Sequence, residues 1–179
     1  MKSALLIVLA ALSPFSAVAA PTGYFDLGPQ ITLESGDTWR DDKGRYRLYG
    51  VQSCLRGTTY TDTQGRERDC GEASMAMFAA FIEDTSPVCA PVMRTPDLTY
   101  VMCYATVGRQ RSDLGLLLIN SGYAFAALDA EGMPYQMAYA LAEQTARKKK
   151  EGLWQFSDVV HPAVLMSTNA RHGVDGTAK

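Results

Sequence analysis

Cys54, Cys70, Cys89 and Cys103 are the residues of this chain whose chemistry is most narrowed by type and spacing. An even set of cysteines in an exported chain reads as two disulfides. Zinc is the other use for such residues, but there is no C-x-x-C pair and both histidines stand near the C-terminus. Three pairings are open. The local ones, Cys54–Cys70 and Cys89–Cys103, each close a loop of about fifteen residues, worth roughly 3 kcal/mol through lost unfolded-state entropy. Arg147-Lys148-Lys149-Lys150 has the charge to meet a phosphate. At a helix end such a run more simply forms a solvated last turn, favoured by the macrodipole and by pairing of Glu143 with Arg147. Ser157, Asp158 and His161 are hydrolase residue types, yet they lie too close together and too near the tail to build a triad. Met75, Met77, Met133 and Met137 read as core filling, as do Tyr123, Phe125 and Trp154.

A small set of short elements must position these groups. Ile31 to Glu34 alternates as a strand, Ser35 to Trp39 turns into a second, and Arg45 to Val51 is a third, after a turn at Asp41 to Gly44. Leu55 to Asp69, rich in Thr, Gly, Asp and Arg, reads as a long exposed loop bracketed by cysteines. Ala73, Ala76, Met77, Ala80 and Phe81 fall at helical spacing within a helix over 71–82. Strands follow around 88–93 and 98–105, which would set Cys89 and Cys103 on antiparallel neighbours. Ser112 to Asn120 reads as a helix ending near Gly122, and Tyr135 to Lys150 as an amphipathic helix stopped at Gly152. Five strands with three helices in this order fit an OB-type barrel.

The chain's first residues bear on where it works. Lys2, an apolar run from Ala4 to Leu12, and Ala17-Val18-Ala19 describe a Sec-type signal peptide over 1–19, cleaved after Ala19. The run is too short to span about 30 Å of hydrocarbon, and no later segment is long and apolar enough to do so. Export to the periplasm or beyond follows. The remainder, about 160 residues, suits one domain over 20–156 with a flexible polar tail over 157–179. A net charge of −2 before cleavage, and more negative once Lys2 is gone, argues against a purely electrostatic nucleic-acid binder.

Several segments together resemble one family. Gly36-Asp37-Thr38-Trp39 followed by Tyr46-Arg47-Leu48-Tyr49-Gly50-Val51 resembles the "GDT…RLxGI" opening of staphylococcal-nuclease-like (thermonuclease) domains. Cys70-Gly71-Glu72-Ala73 resembles the "CGxxA" helix entry of exported bacterial members. Leu117 to Ala124 resembles their "LVxxGxA" segment, and Tyr139 to Arg147 with Gly152-Leu153-Trp154 their "Y…AExxAR…GLW" ending. The likeness runs from about Ile31 to Phe156. It implies a five-stranded OB barrel with three helices, an α+β architecture whose active members cleave DNA or RNA with calcium.

The resemblance places Asp37 at a metal-binding aspartate and Arg47 at a phosphate-binding arginine of the active site. In the family's "RLxGIDxPE" frame, Gln52 stands for a second metal-binding aspartate and Leu55 for the proposed general base. Pro96-Asp97-Leu98-Thr99-Tyr100 keeps an aspartate of the "DxYGR" turn but not its arginine. Glu67, Asp69, Glu72 and Arg94 are the residues that could substitute. Calcium needs charged oxygen ligands and the attacking water needs a proton acceptor. Losing one preorganised group costs about 10²–10³ in rate. The expectation is therefore a degenerate nuclease-like protein that needs no cofactor, with calcium required only if it is active. Its expected partners are weakly bound nucleic acid or envelope proteins, and the alternative is a working calcium-dependent nuclease with a rearranged site.

Overall fold

Seven strands curl into a half-barrel sheet in the computed structural model, which describes residues 23–28 and 30–175. The signal segment 1–19 lies outside the described residues. Strands β1 (Phe25–Asp26), β2 (Thr32–Leu33), β3 (Thr38–Arg40) and β4 (Arg45–Leu48) come first. β5 (Val51–Ser53), β6 (Thr59–Thr61) and β7 (Glu67–Asp69) follow, then helix α1 (Cys70–Thr85), β8 (Val88–Arg94), β9 (Thr99–Val107) and β10 (Gln110–Asp113). After these come α2 (Leu114–Asn120), β11 (Ala124–Ala126), α3 (Met137–Lys149), a 3-10 turn (Gly152–Gln155) and α4 (Pro162–Asp175). The sheet order is β1-β8-β9-β4-β3-β2, with β10 also on β9. β4 runs parallel to β9 and the other pairs are antiparallel. Half-barrel and helices make an α+β, OB-like fold, the class expected.

The core gathers between α1 and the sheet. Trp39 stacks on Tyr46 at 5.7 Å and meets Phe78 of α1 at 5.6 Å, with Leu48, Val51, Val101 and Leu118 buried around them. α1 buries Gly71, Ser74, Phe78 and Ile82 instead of the expected stripe through Ala73, Ala76 and Ala80. Small residues at 71 and 74 bring the helix axis close, and Phe78 and Ile82 then fill the space one turn on. Buried Ser74 is satisfied: it accepts from Cys54 N–H at 3.2 Å and donates to the Tyr123 carbonyl at 2.6 Å. α3 docks on α2 through Tyr139, whose hydroxyl donates to Asp113 at 2.8 Å. Burial first, and then the Asp113 charge, pushes that phenol's pKa up.

Both disulfides are the local ones. Cys89 and Cys103 are register partners on β8 and β9, and Cys54–Cys70 ties the end of β5 to the start of α1. Cys54 and Cys70 also pack with Phe125 and Leu153 in a second buried cluster. Among the described residues no helix is long and apolar enough to cross a membrane. Two disulfides accord with an oxidising compartment.

Several expectations need correction. The stretch 55–69 is no open loop: β6 and β7 form a hairpin, because Asp62 gathers the backbone N–H groups of Gln64 and Arg66 and the side chains of Arg66 and Arg68. Ser112 and Asp113 belong to β10, so α2 starts later than expected, capped by Asp113. α3 ends at Lys150 in the left-handed region, two residues before Gly152. Glu143 does not pair with Arg147; it accepts from Ala126 N–H at 2.7 Å, while Arg147 lies over the Trp154 ring. Met133 and Met137 are exposed rather than core. Residues 162–175 form α4 in place of an irregular tail, because Pro162 presets the first helical φ and His161 supplies a cap. Among the described residues there are thus four helices where three were expected. The two- and three-residue strands β1, β6, β7 and β11 carry too little alternation to be read from sequence.

Asp69 is the clearest capping residue. Its carboxylate accepts from Glu72 N–H and Gly57 N–H, both at 2.8 Å. Burial acts to raise its pKa, but these amides and Arg56 outweigh that and hold it below the ordinary value. Asp69→Ala should cost about 1 kcal/mol in urea unfolding. With the folded pKa depressed, the wild-type advantage is complete above the ordinary carboxylate pKa and disappears as the pH falls through the lowered one.

Candidate functional site

Tyr46 to Leu55 is two strands joined by a bend. β4 pairs with β3 and β9; Gly50 then takes φ +74°, and β5 leaves the sheet to pair with β11. The bend turns Gln52 back toward Arg47, whose Nη2 donates to Gln52 Oε1 at 2.7 Å. Gln52 Nε2 is occupied too, donating to the Ser53 carbonyl at 2.8 Å.

Asp37 reaches the same point from the turn before β3. That turn lies against α1 because residue 36 is glycine: a Cβ there would sit 2.7 Å from the Ser74 backbone. The Asp37 side chain is 2% exposed, so its charge must be paired and hydrogen-bonded. Oδ2 accepts from Arg47 Nε at 3.1 Å, Arg47 Nη2 at 3.0 Å and Ser53 N–H at 3.1 Å. Oδ1 accepts from the Ser35 and Thr38 hydroxyls. Asp37, Arg47 and Gln52 are therefore one network. Arg47 keeps 29% exposure, and its Nη1 has no hydrogen-bond partner among the described residues.

The other expected residues do not join it. Leu55 lies past β5, half-buried, with its carbonyl accepting from Thr58. Asp97 is exposed in the β8–β9 turn, and Arg94 is exposed opposite Thr99. Glu67 accepts from Thr59 and Glu72 pairs with Arg56, each on the stapled hairpin side. Asp69 caps α1.

These donors do not suit calcium. The ion takes about 6–8 oxygen ligands, usually several from carboxylates. Asp37 is the network's single carboxylate and already accepts five hydrogen bonds, while Gln52 turns its oxygen to Arg47. Among the described residues, no three His, Cys, Asp or Glu side chains group to hold a metal.

Beside Arg47 opens a pocket of about 250 Å³, lined by Arg47, Tyr49, Gln52, Tyr100, Tyr135 and Met166 among others. Tyr49 sits edge-on to Tyr100 at 6.5 Å and to Tyr135 at 5.9 Å. Sequence reading missed this aromatic wall. Its signal was modest: Tyr49 just past the end of β4 and Tyr100 on its neighbour β9, with the Tyr49 N–H donating to Val101 O. His161, set aside in the sequence as a triad residue, instead faces Glu143 at 3.4 Å.

A family model described as Staphylococcal nuclease homologue matches residues 94–156. The matched span takes in β9, the helices α2 and α3 and the 3-10 turn, and leaves Asp37, Arg47 and Gln52 outside it. No curated protein matches the chain. Together with the OB-like fold, the match points to a nuclease-like or nucleic-acid-binding function.

Proposed function

We propose that the chain, whose residues 94–156 match a staphylococcal nuclease homologue model, binds single-stranded nucleic acid without efficient hydrolysis, in the bacterial envelope after export. The observation that carries this reading is the engagement of Asp37 and Gln52 by Arg47. The oxygens that would otherwise face a cation are turned inward, while the outer edge of the guanidinium stays open to a phosphate. Leu55 has no group to take a proton from water. The tyrosine wall offers stacking surfaces, each worth about 1–3 kcal/mol per base. In this reading Arg47 is the phosphate contact, and Asp37 positions it rather than holding metal. The N-terminal segment and the two disulfides support an envelope setting.

The test is fluorescence anisotropy of a labelled single-stranded DNA ten-mer with the purified mature protein at low salt, alongside gel assays with Ca²⁺ or EDTA. Saturable binding without cleavage is expected, and Arg47→Met should weaken it by about tenfold or more, the scale of one charge-assisted hydrogen bond. Robust calcium-dependent cleavage would refute the reading and establish a rearranged active nuclease instead.

A further inference from the structure

Helix α4 follows the family-matched span, which ends at residue 156, and yet it borders the candidate site. Met166 forms part of the pocket wall beside Arg47 and Gln52. One turn away, Ala163, Val164 and Ser167 line a wider groove of about 630 Å³ against Leu128 and Tyr135. A helix seated by a well-filled interface would leave little space there. α4 instead leaves Val164 53% and Met166 43% exposed.

Among the described residues its attachment lies in its first turn, where Leu165 is half-buried on the side of Cys54 and Cys70. Pro162 is buried, and the His161 ring stands edge-on to Phe125 at 5.1 Å. His161 Nδ1 accepts the Ala163 N–H at 3.1 Å, which leaves Nε2 to carry the proton facing Glu143 at 3.4 Å. Beyond that point the described polar side chains turn inward on the helix: Ser167 donates to Val164 O, and Thr168 to the Val164 and Leu165 carbonyls. No described side chain from Val164 to Thr168 makes a hydrogen bond or ion pair to the barrel. A helix held at its first turn, with Met166 exposed and no polar tie to the barrel from the described side chains beyond it, can pivot about that turn.

We propose that α4 is an autoinhibitory strap, closing one side of the tyrosine-lined pocket with Met166 and swinging away when a nucleic-acid strand occupies it. The proposal rests on the binding reading above. Occupancy and closure compete, so the apparent affinity is the intrinsic one scaled by the open fraction. Whatever loosens the strap raises affinity, although it removes protein surface from the site.

The full mature chain is compared with His161→Ala, which removes the cap, and with Met166→Ala, which leaves the anchor intact and shortens the side chain at the pocket. The same labelled DNA ten-mer is titrated into each, and hydrogen exchange is followed at the amides of 163–168. His161→Ala should tighten binding by about fivefold, the effect of a lost helix cap on a local opening equilibrium. Met166→Ala should tighten it in the same direction, and DNA should speed exchange in α4 of the wild type. Equal or weaker binding by both variants, or slower exchange of α4 with DNA present, overturns the strap and leaves the binding reading standing. No binding by any of the three overturns the binding reading and the strap with it.

Discussion

Asp37→Ala should lower unfolding stability by about 3 kcal/mol in urea titration, a large loss for the removal of one small side chain. The loss has two parts. Arg47 is left beside a non-polar site, and the Ser53 N–H and the Ser35 and Thr38 hydroxyls lose their acceptor. Arg47 is 29% exposed and relieves part of its own penalty by turning to water, which keeps the figure near the lower end of the range for broken buried pairs. The reverse change, Arg47→Met, should cost less. Asp37 would keep its bonds from Ser53, Ser35 and Thr38, and water could enter where the guanidinium had been. The ranking separates a positioning carboxylate from a free one. If Asp37→Ala proved neutral, or less costly than Arg47→Met, Asp37 would not be the anchor of this network. The Asp37 variant should also bind DNA about as weakly as Arg47→Met, because an arginine released from Asp37 no longer has a fixed direction.

The fold class was legible because the ordered segments carry short-range physical demands that survive in sequence. Gly36 marks the approach of a turn to α1, and the cysteine spacings suited local loops. The buried stripe of α1 was less legible, since Gly71 and Ser74 do not look like core residues until their neighbours are known. Ser74 is buried because Cys54 N–H and Tyr123 O satisfy its hydroxyl across the fold. The type of each site residue was visible at 37, 47 and 52, but not that the three bond one another. That depends on the register setting Thr38 opposite Arg47, and on the bend at Gly50 that returns Gln52 to the arginine. The tyrosine pocket needed the same register, between β4 and β9. α4 was hidden by a polar composition whose start signal is a proline with a histidine cap.

Gly122→Ala should be as damaging as the loss of Asp37, for a purely steric reason. Gly122 has φ +76°, and a Cβ there would lie 2.1 Å from the Glu151 carbonyl oxygen. On the other strand of this crossing, a Cβ on Gly152 would lie 2.3 Å from Ser121 O. Two backbones thus touch where the end of α2 meets the start of the 3-10 turn, and Leu153 N–H donates to Gly122 O at 3.0 Å. An alanine must push them apart. Separation would loosen Leu153 from Phe125 and the Cys54–Cys70 pair, all in one buried cluster. Adding about 1–2 kcal/mol for a left-handed alanine, the total should reach about 3–5 kcal/mol. Gly132→Ala is the control. It has φ +81° with nothing within 4 Å of its Cβ position, so it should show the conformational cost alone, about 1 kcal/mol. Equal losses at 122 and 132 in urea unfolding would mean that the backbone crossing contributes nothing. The expected gap of a few kcal/mol would explain why a glycine stands at both positions of the crossing, one in each of two segments that resemble the family.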